Sequence, residues 1–223
     1  MNIMYRTLRV DEVRAAAALI ARGMLDNPVH IQALGADPAD RQARVERLFR
    51  AVLPSIVATG SVLSAYDGAR LVGLAGYVPP AHTRVPLSAT LGLLARLLWE
   101  QGPRTFARMG EWQGVWRKHD LQEPHWHIGP VVVAPELWGR GIGSAMLEQL
   151  CLELDRSAGV GFLETDKSEN VRLYERFGFV TVAKAEVLGA PNWFMRREPQ
   201  AAHRHVAMPG DSRTRRVREV LPG

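Results

Sequence analysis

The sequence predicts one α/β domain in which short strands alternate with amphipathic helices, and three observations carry that prediction. Ile128 to Leu147 runs from a β-branched strand (Val131–Val133) through a turn holding Gly139, Gly141 and Gly143 into a helical apolar period. Ser61–Tyr66 and Leu71–Tyr77 alternate as strands on either side of Asp67-Gly68, a strong hairpin signal. Between these stretches, apolar residues recur at three- and four-residue steps in several separate segments, the spacing of helices with one buried face.

Taken in order, Ile3 to Arg9 alternate as a first strand, and Asp11 is placed to cap a helix reaching about Met24. Val13, Ala16, Ala17, Leu19 and Ile20 form its buried face, and Asp26-Asn27-Pro28 stops it. A second helix is expected from about Pro38 to Leu53, with Val45, Leu48, Phe49 and Val52 inward and Pro54 near its end. The hairpin follows and Pro79-Pro80 ends it. Residues 79–124 read as a helical insertion. One helix spans Leu87 to Gln101, Gly102-Pro103 breaks it, and another from about Arg104 to Lys118 carries Phe106, Met109, Trp112 and Trp116. His125-Trp126-His127-Ile128 opens the central strand, and alternation puts His125 and His127 on one face, opposite Trp126. After the glycine turn a helix runs to about Ser157, with Met146, Leu147, Leu150, Cys151 and Leu154 on one face. Gly161–Thr165 is a further strand, Asn170 opens a short helix, and Phe179–Ala185 with Trp193–Arg197 form a closing strand pair.

The turn from Trp138 to Ser144 (Trp138, Gly139, Arg140, Gly141, Ile142, Gly143, Ser144) is the stretch that carries chemistry. It directs unpaired backbone N–H groups and the positive end of a helix dipole at one point, which suits a phosphate. Side chains at Gly141 and Gly143 would block its approach. Two other phosphate turns are excluded. No Gly-Lys-Ser/Thr follows, and the glycines alternate instead of following the dinucleotide spacing G-x-G-x-x-G.

The continuation is more specific. Gly141-Ile142-Gly143 is followed by the strand at 161–165 and then by Asn170, Tyr174 and Phe177-Gly178-Phe179. From His125 to Val180 the chain resembles the cofactor-binding core of the GNAT superfamily of N-acetyltransferases, whose turn signature is Gln/Arg-x-x-Gly-x-Gly/Ala. His125-Trp126 and Pro135 are similar to the branch that includes puromycin acetyltransferase. Trp138 stands where the signature has Gln or Arg, and Arg140 is the nearby cation able to replace it.

The resemblance implies a central mixed, mostly antiparallel sheet flanked by helices. In it a splayed strand pair holds the arm of acetyl-CoA, the co-substrate. It implies that backbone groups at Val131, Val132 and Val133 pair with that arm, that the turn holds the pyrophosphate, and that Asn170 contacts the arm. Tyr174 would protonate the departing thiolate. The activity implied is transfer of an acetyl group to a primary amine, on a small molecule or a protein, by direct attack in a ternary complex. The insertion at 79–124 would wall the acceptor pocket, although Trp112 and Trp116 at helical spacing also fit plain packing on the sheet. His125 and His127 are candidate bases because histidine titrates near neutral pH. Glu111, Glu123 and an ordered water are the alternatives. A non-catalytic acyl-CoA sensor, or a protein led to RNA by a basic tail, is the rival reading.

Composition bounds the rest. At 223 residues and 47% apolar, the chain has room for one well-cored domain, taken as 1–198. No apolar run approaches the roughly 18 residues a membrane span needs, and Met1-Asn-Ile-Met-Tyr-Arg6 has no signal-peptide layout. The single cysteine, Cys151, excludes an internal disulfide, fits a reducing cytoplasm and falls on an apolar helix face. Most of the net charge of +5 lies in a terminal stretch rich in arginine, and residues 199–223 read as a basic, disordered tail. No metal is expected, since His203 and His205 fall in that tail and no Cys/His cluster has ligand spacing. A homodimer is compatible with the resemblance.

Overall fold

In the computed structural model, which describes residues 2–80 and 87–200, seven strands form one open sheet in the order β1-β2-β3-β4-β5-β7-β6. The strands are β1 (Ile3–Thr7), β2 (Ser61–Asp67), β3 (Arg70–Val78), β4 (Trp126–Val133), β5 (Gly161–Thr165), β6 (Val180–Val187) and β7 (Ala190–Arg197). Every neighbouring pair is antiparallel except β4 and β5. That parallel pair touches in register only at Trp126↔Gly161 and His127↔Phe162. Beyond those residues the strands part, so the mixed sheet and the splay implied by the resemblance are both present. The tail from 201 lies outside the described residues.

The helices are α1 (Val13–Gly23), α2 (Pro28–Leu34), α3 (Pro38–Thr59), α4 (Leu87–Gln101), α5 (Pro103–His119), α6 (Ile142–Arg156) and α7 (Ser168–Glu175). The face of α1 anticipated from its alanines is buried, and α1 crosses β4 closely: a Cβ on Gly23 would stand 2.1 Å from Val132 Cγ2. On the opposite face α6 lays Met146 and Ile142 over Gly73 of β3. Cys151 is buried there, and burial pushes its thiol up to about 11, which suits a core residue and not a nucleophile. α4 packs on α3 and α5 and leaves Leu91, Leu94, Leu98 and Trp99 exposed. Among the described residues no helix is long and apolar enough to cross a membrane.

Four local expectations are corrected. Glu12, not Asp11, holds the entry to α1: its carboxylate accepts from the Arg9 N–H at 3.0 Å and is clamped by Arg6, which draws its pKa down to about 2. Pro28 does not merely stop α1 but opens α2, where a missing N–H costs nothing. α3 continues through Pro54 to Thr59. Asn170 sits inside α7, which begins at Ser168.

α2 is fixed by a buried cation. Arg41 donates to the carbonyls of Leu25, Gly35 and Ala36 at 2.7–2.8 Å, which closes both ends of the short helix. Asp166, one residue past β5, then accepts from the Val29 N–H at 2.8 Å and from Asn27 Nδ2 at 3.1 Å. Lys167 adds an ion pair to Asp26 at 2.7 Å. The α1–α2 corner is thereby tied across the splay to the chain leaving β5.

Candidate active site

Two cavities meet at that splay. The larger, about 580 Å³, is a cleft bordered by Val131–Val133 of β4, the turn after it, the α1–α2 corner and α7. The smaller, about 280 Å³, is a chamber between the sheet, α3 and α5. Val131, Asn170 and Tyr174 line both, as do Met24 and Asn27.

The cleft is shaped by main chain. Gly139 and Gly141 have φ of +76° and +79°, a region other residues enter at a cost, and Gly141 is the residue before the first turn of α6. A Cβ at either would meet no protein atom within 4 Å. Their lack of side chains therefore relieves no internal clash; it keeps the cleft open and lets the turn form. The N–H groups of the first turn of α6 have no partner within the helix and face a site suited to an anion. Gly139, Gly141, Ile142, Gly143, Ser144 and Trp138 all border the cleft. Trp138 donates from Nε1 to the Val133 carbonyl at 2.9 Å, so this indole braces the turn against β4. Arg140 is exposed and is not among the residues lining the cleft. Lys167 and Arg176, which sequence reasoning passed over, are the cations that do line it. Asp26, paired with Lys167, and Glu169 line it too, so the features that suit a long acyl-carrying thioester with a phosphate-bearing end are glycine room, the N–H groups of the turn, Arg176 and an unpaired strand margin.

Tyr174 and Asn170 come together with the turn as anticipated. Tyr174 is buried against Phe179, with ring centroids 5.9 Å apart, and burial, followed by the nearby Asp166 charge, raises its pKa. Its hydroxyl makes no hydrogen bond among the described residues. Asn170 Nδ2 lies 3.4 Å from Thr165 Oγ1.

The chamber is walled by side chains from distant segments. Leu48, Phe49, Val52 and Ile56 come from α3, and Met109, Trp112 and Trp116 from α5. Trp112 and Trp116 meet edge to face at 5.2 Å, and Trp116 Nε1 donates to Asn192 Oδ1 at 3.2 Å. Among the described residues, the insertion at 79–124 walls the chamber through α5, and α3 from outside it contributes as much. Trp112 and Trp116 pack the helix and line the chamber at once.

The two histidines part ways. His125 bonds the Glu123 carbonyl through Nδ1 at 2.9 Å, faces Asp120 through Nε2 at 3.1 Å and lines neither cavity. His127 lines the chamber, and its Nε2 lies 3.5 Å from Glu164 Oε2. Its side chain is 41% exposed, so the ring spans from the chamber to solvent. Glu111 is exposed and Glu123 pairs with Arg196 at 2.7 Å; neither lines the chamber. Glu164 was the residue missed. It lies on β5 with only 4% of its side chain exposed, and burial, then the Asp120 charge, pushes it up to about 8. The available signal was a lone acid inside the short apolar strand Gly161–Thr165, on the same face as Phe162.

Residues 38–179 match the acetyltransferase (GNAT) family. Among solved structures, a histone acetyltransferase HPA2 and related acetyltransferase from Corynebacterium glutamicum aligns with TM-score 0.68 at 18% identity, over 91% of this chain and 99% of its own. The ribosomal-protein-S18-alanine N-acetyltransferase of Escherichia coli aligns with TM-score 0.51 at 13% identity, over 93% and 100%. A PaiA N-acetyltransferase from Thermoplasma acidophilum, solved in complex with coenzyme A, aligns with TM-score 0.55 at 11% identity, over 89% and 99%. At these identities the likeness is one of fold.

Proposed function

The chain belongs to the GNAT acetyltransferase family, and on that premise we propose that it moves the acetyl group of acetyl-CoA directly to a primary amine held in the chamber. The observation that carries this reading is the junction: a cleft suited to the thioester and an apolar-walled chamber share Tyr174, Asn170 and Val131 in their linings.

In this reading the turn from Trp138 to Ser144 takes the pyrophosphate on its N–H groups, with Arg176 offsetting charge. The pantetheine arm lies along Val131–Val133, where β4 has no β5 partner, and pairs with free main chain as an added strand would. A neutral amine in the chamber attacks the carbonyl across the junction. Its proton passes to the Glu164–His127 pair, whose outer ring edge reaches solvent. Backbone N–H near Val131 stabilises the developing oxyanion. The C–S bond breaks, and the sulfur takes its hydrogen bond and proton from Tyr174, a phenol that burial keeps protonated until then. Most of the acceleration comes from holding the two reactants in line, with proton handling second.

The test pairs titration calorimetry of acetyl-CoA with a thiol-release assay on Tyr174→Phe. The expected result is unchanged cofactor affinity with kcat lowered roughly ten- to a hundredfold. Wild-type protein that is folded yet does not bind acetyl-CoA would overturn the reading.

A further inference from the structure

We propose that the acceptor is a compact aromatic or branched-aliphatic primary amine without any anionic group, its ammonium seated on Glu164 and its hydrocarbon against Phe49, Trp112 and Trp116. This rests on the acetyl-transfer reading and names the substrate class for it.

Four observations carry it. First, Glu164 is a buried carboxylate at the sheet side of the chamber with no hydrogen bond from any other described residue; His127 Nε2 lies 3.5 Å away, in a ring that burial inclines to the neutral form. A buried carboxylate left so poorly partnered is costly unless a cation arrives. Second, Trp112 Nε1 and the Tyr174 hydroxyl are neutral groups of the lining without a hydrogen bond among the described residues, and several other polar groups there are engaged. Asp166 accepts from Val29 and Asn27, His30 bonds the Met24 carbonyl at 2.9 Å, and Thr165 meets Asn170. Third, among the described residues no lysine or arginine lines the chamber, while two carboxylates do. A ligand carrying a carboxylate or phosphate would be buried with no counter-charge. Fourth, the walls offered by α3 and α5 are aliphatic and aromatic, and the volume of about 280 Å³ lies at the small end for ligand pockets. Indole faces also attract an ammonium.

The same geometry disfavours other amines. A peptide N-terminus brings amide groups within a few atoms of its nitrogen, and these would press on Leu48, Val52 and Ile56 unpaired, at about 1–3 kcal/mol each. A polyamine would strand its second charge among the same side chains.

The experiment is calorimetry on CoA-saturated protein, which cannot turn over. The probes are 2-phenylethylamine, its isostere 3-phenylpropionate, spermidine and a tripeptide with a free N-terminus. The expected result is that the arylalkylamine binds at least tenfold more tightly than the other three. Glu164→Gln should weaken it at least tenfold, and Phe49→Ala should weaken it severalfold, while CoA affinity stays as in the wild type in both. Tighter binding of the propionate, spermidine or peptide overturns the proposal, as does absence of arylalkylamine binding or indifference to both substitutions. A parallel acetyl-CoA transfer assay separates the two readings: amine binding without transfer sinks the catalytic reading and leaves only the class of amine that the chamber binds. Transfer to a peptide or polyamine in preference does the reverse.

Discussion

The cleft beside the glycine turn takes half of its lining from one continuous stretch, residues 131–144, whose turn offers main chain at glycines, while the chamber across Tyr174 is assembled from residues on α2, α3, α5, β4 and β5. A main-chain site depends on a few backbone conformations, above all the positive φ at Gly139 and Gly141. A side-chain site depends on how separate elements are held, here by Asp166 bonding α2 and by Arg41 bonding the ends of that helix. The first kind of site can recur wherever the fold does. The second is where one protein can differ from another on the same fold.

The sharpest way to break this contrast is Gly141→Glu. A carboxylate projecting into the cleft from a residue at φ +79° should lower acetyl-CoA affinity more than about a hundredfold, read by calorimetry. Binding of an arylalkylamine to the chamber should stay within about twofold. Loss of both together would mean the two cavities are one mechanical unit.

Next in size is a pH effect confined to the chamber. Glu164 must be ionised to seat the ammonium or take its proton, and burial with the Asp120 charge holds it at about 8. With saturating acetyl-CoA, kcat/KM should therefore rise about tenfold per pH unit below that value and level off above it. Glu164→Gln should remove the rise, whereas acetyl-CoA affinity should show no matching step. A profile unchanged by that substitution assigns the proton to another group.

Asp166→Asn should cost about 1–3 kcal/mol in urea denaturation, because an amide cannot accept both the buried Val29 N–H and Asn27 Nδ2 without leaving its own NH₂ unpaired. Its effect on turnover should follow α2 and so appear in KM for the amine. The smallest effect is expected of His125→Gln, within about twofold in kcat/KM, since that ring is anchored to Glu123 and Asp120 away from both cavities. A larger loss would return it to the proton path.

The same contrast decides what was legible in the sequence. The turn, Tyr174, Asn170 and the strand before them sit within about one βαβ unit, so glycine spacing and periodicity mark the turn and strand, and the GNAT resemblance marks Asn170 and Tyr174. The hairpin and α1 were legible for the same reason. Glu164 was not, because its meaning comes from α3 and α5 folding over it, and a lone acid in a strand looks like an exposed edge. α2 escaped because Pro28 marks both a stop and a start, and the long α3 because a proline near a helix end is usually read as that end. Arg140 looked like the phosphate's cation by proximity in sequence, whereas Lys167 and Arg176 reach the cleft from beyond β5.

The sparse contact between β4 and β5 has a wider consequence. Only two register pairs join the four strands on one side of it to the three on the other. The domain is thus two half-sheets sharing a seam, and a ligand arm lying in that seam acts as a removable stitch. Protein held at saturating coenzyme A should be stabilised by the usual mass-action amount, about 2.7 kcal/mol at a hundred times Kd. The gain should fall unevenly, with amides of Val131–Val133 and the first turn of α6 slowing most in hydrogen exchange and those of the β2–β3 hairpin hardly at all.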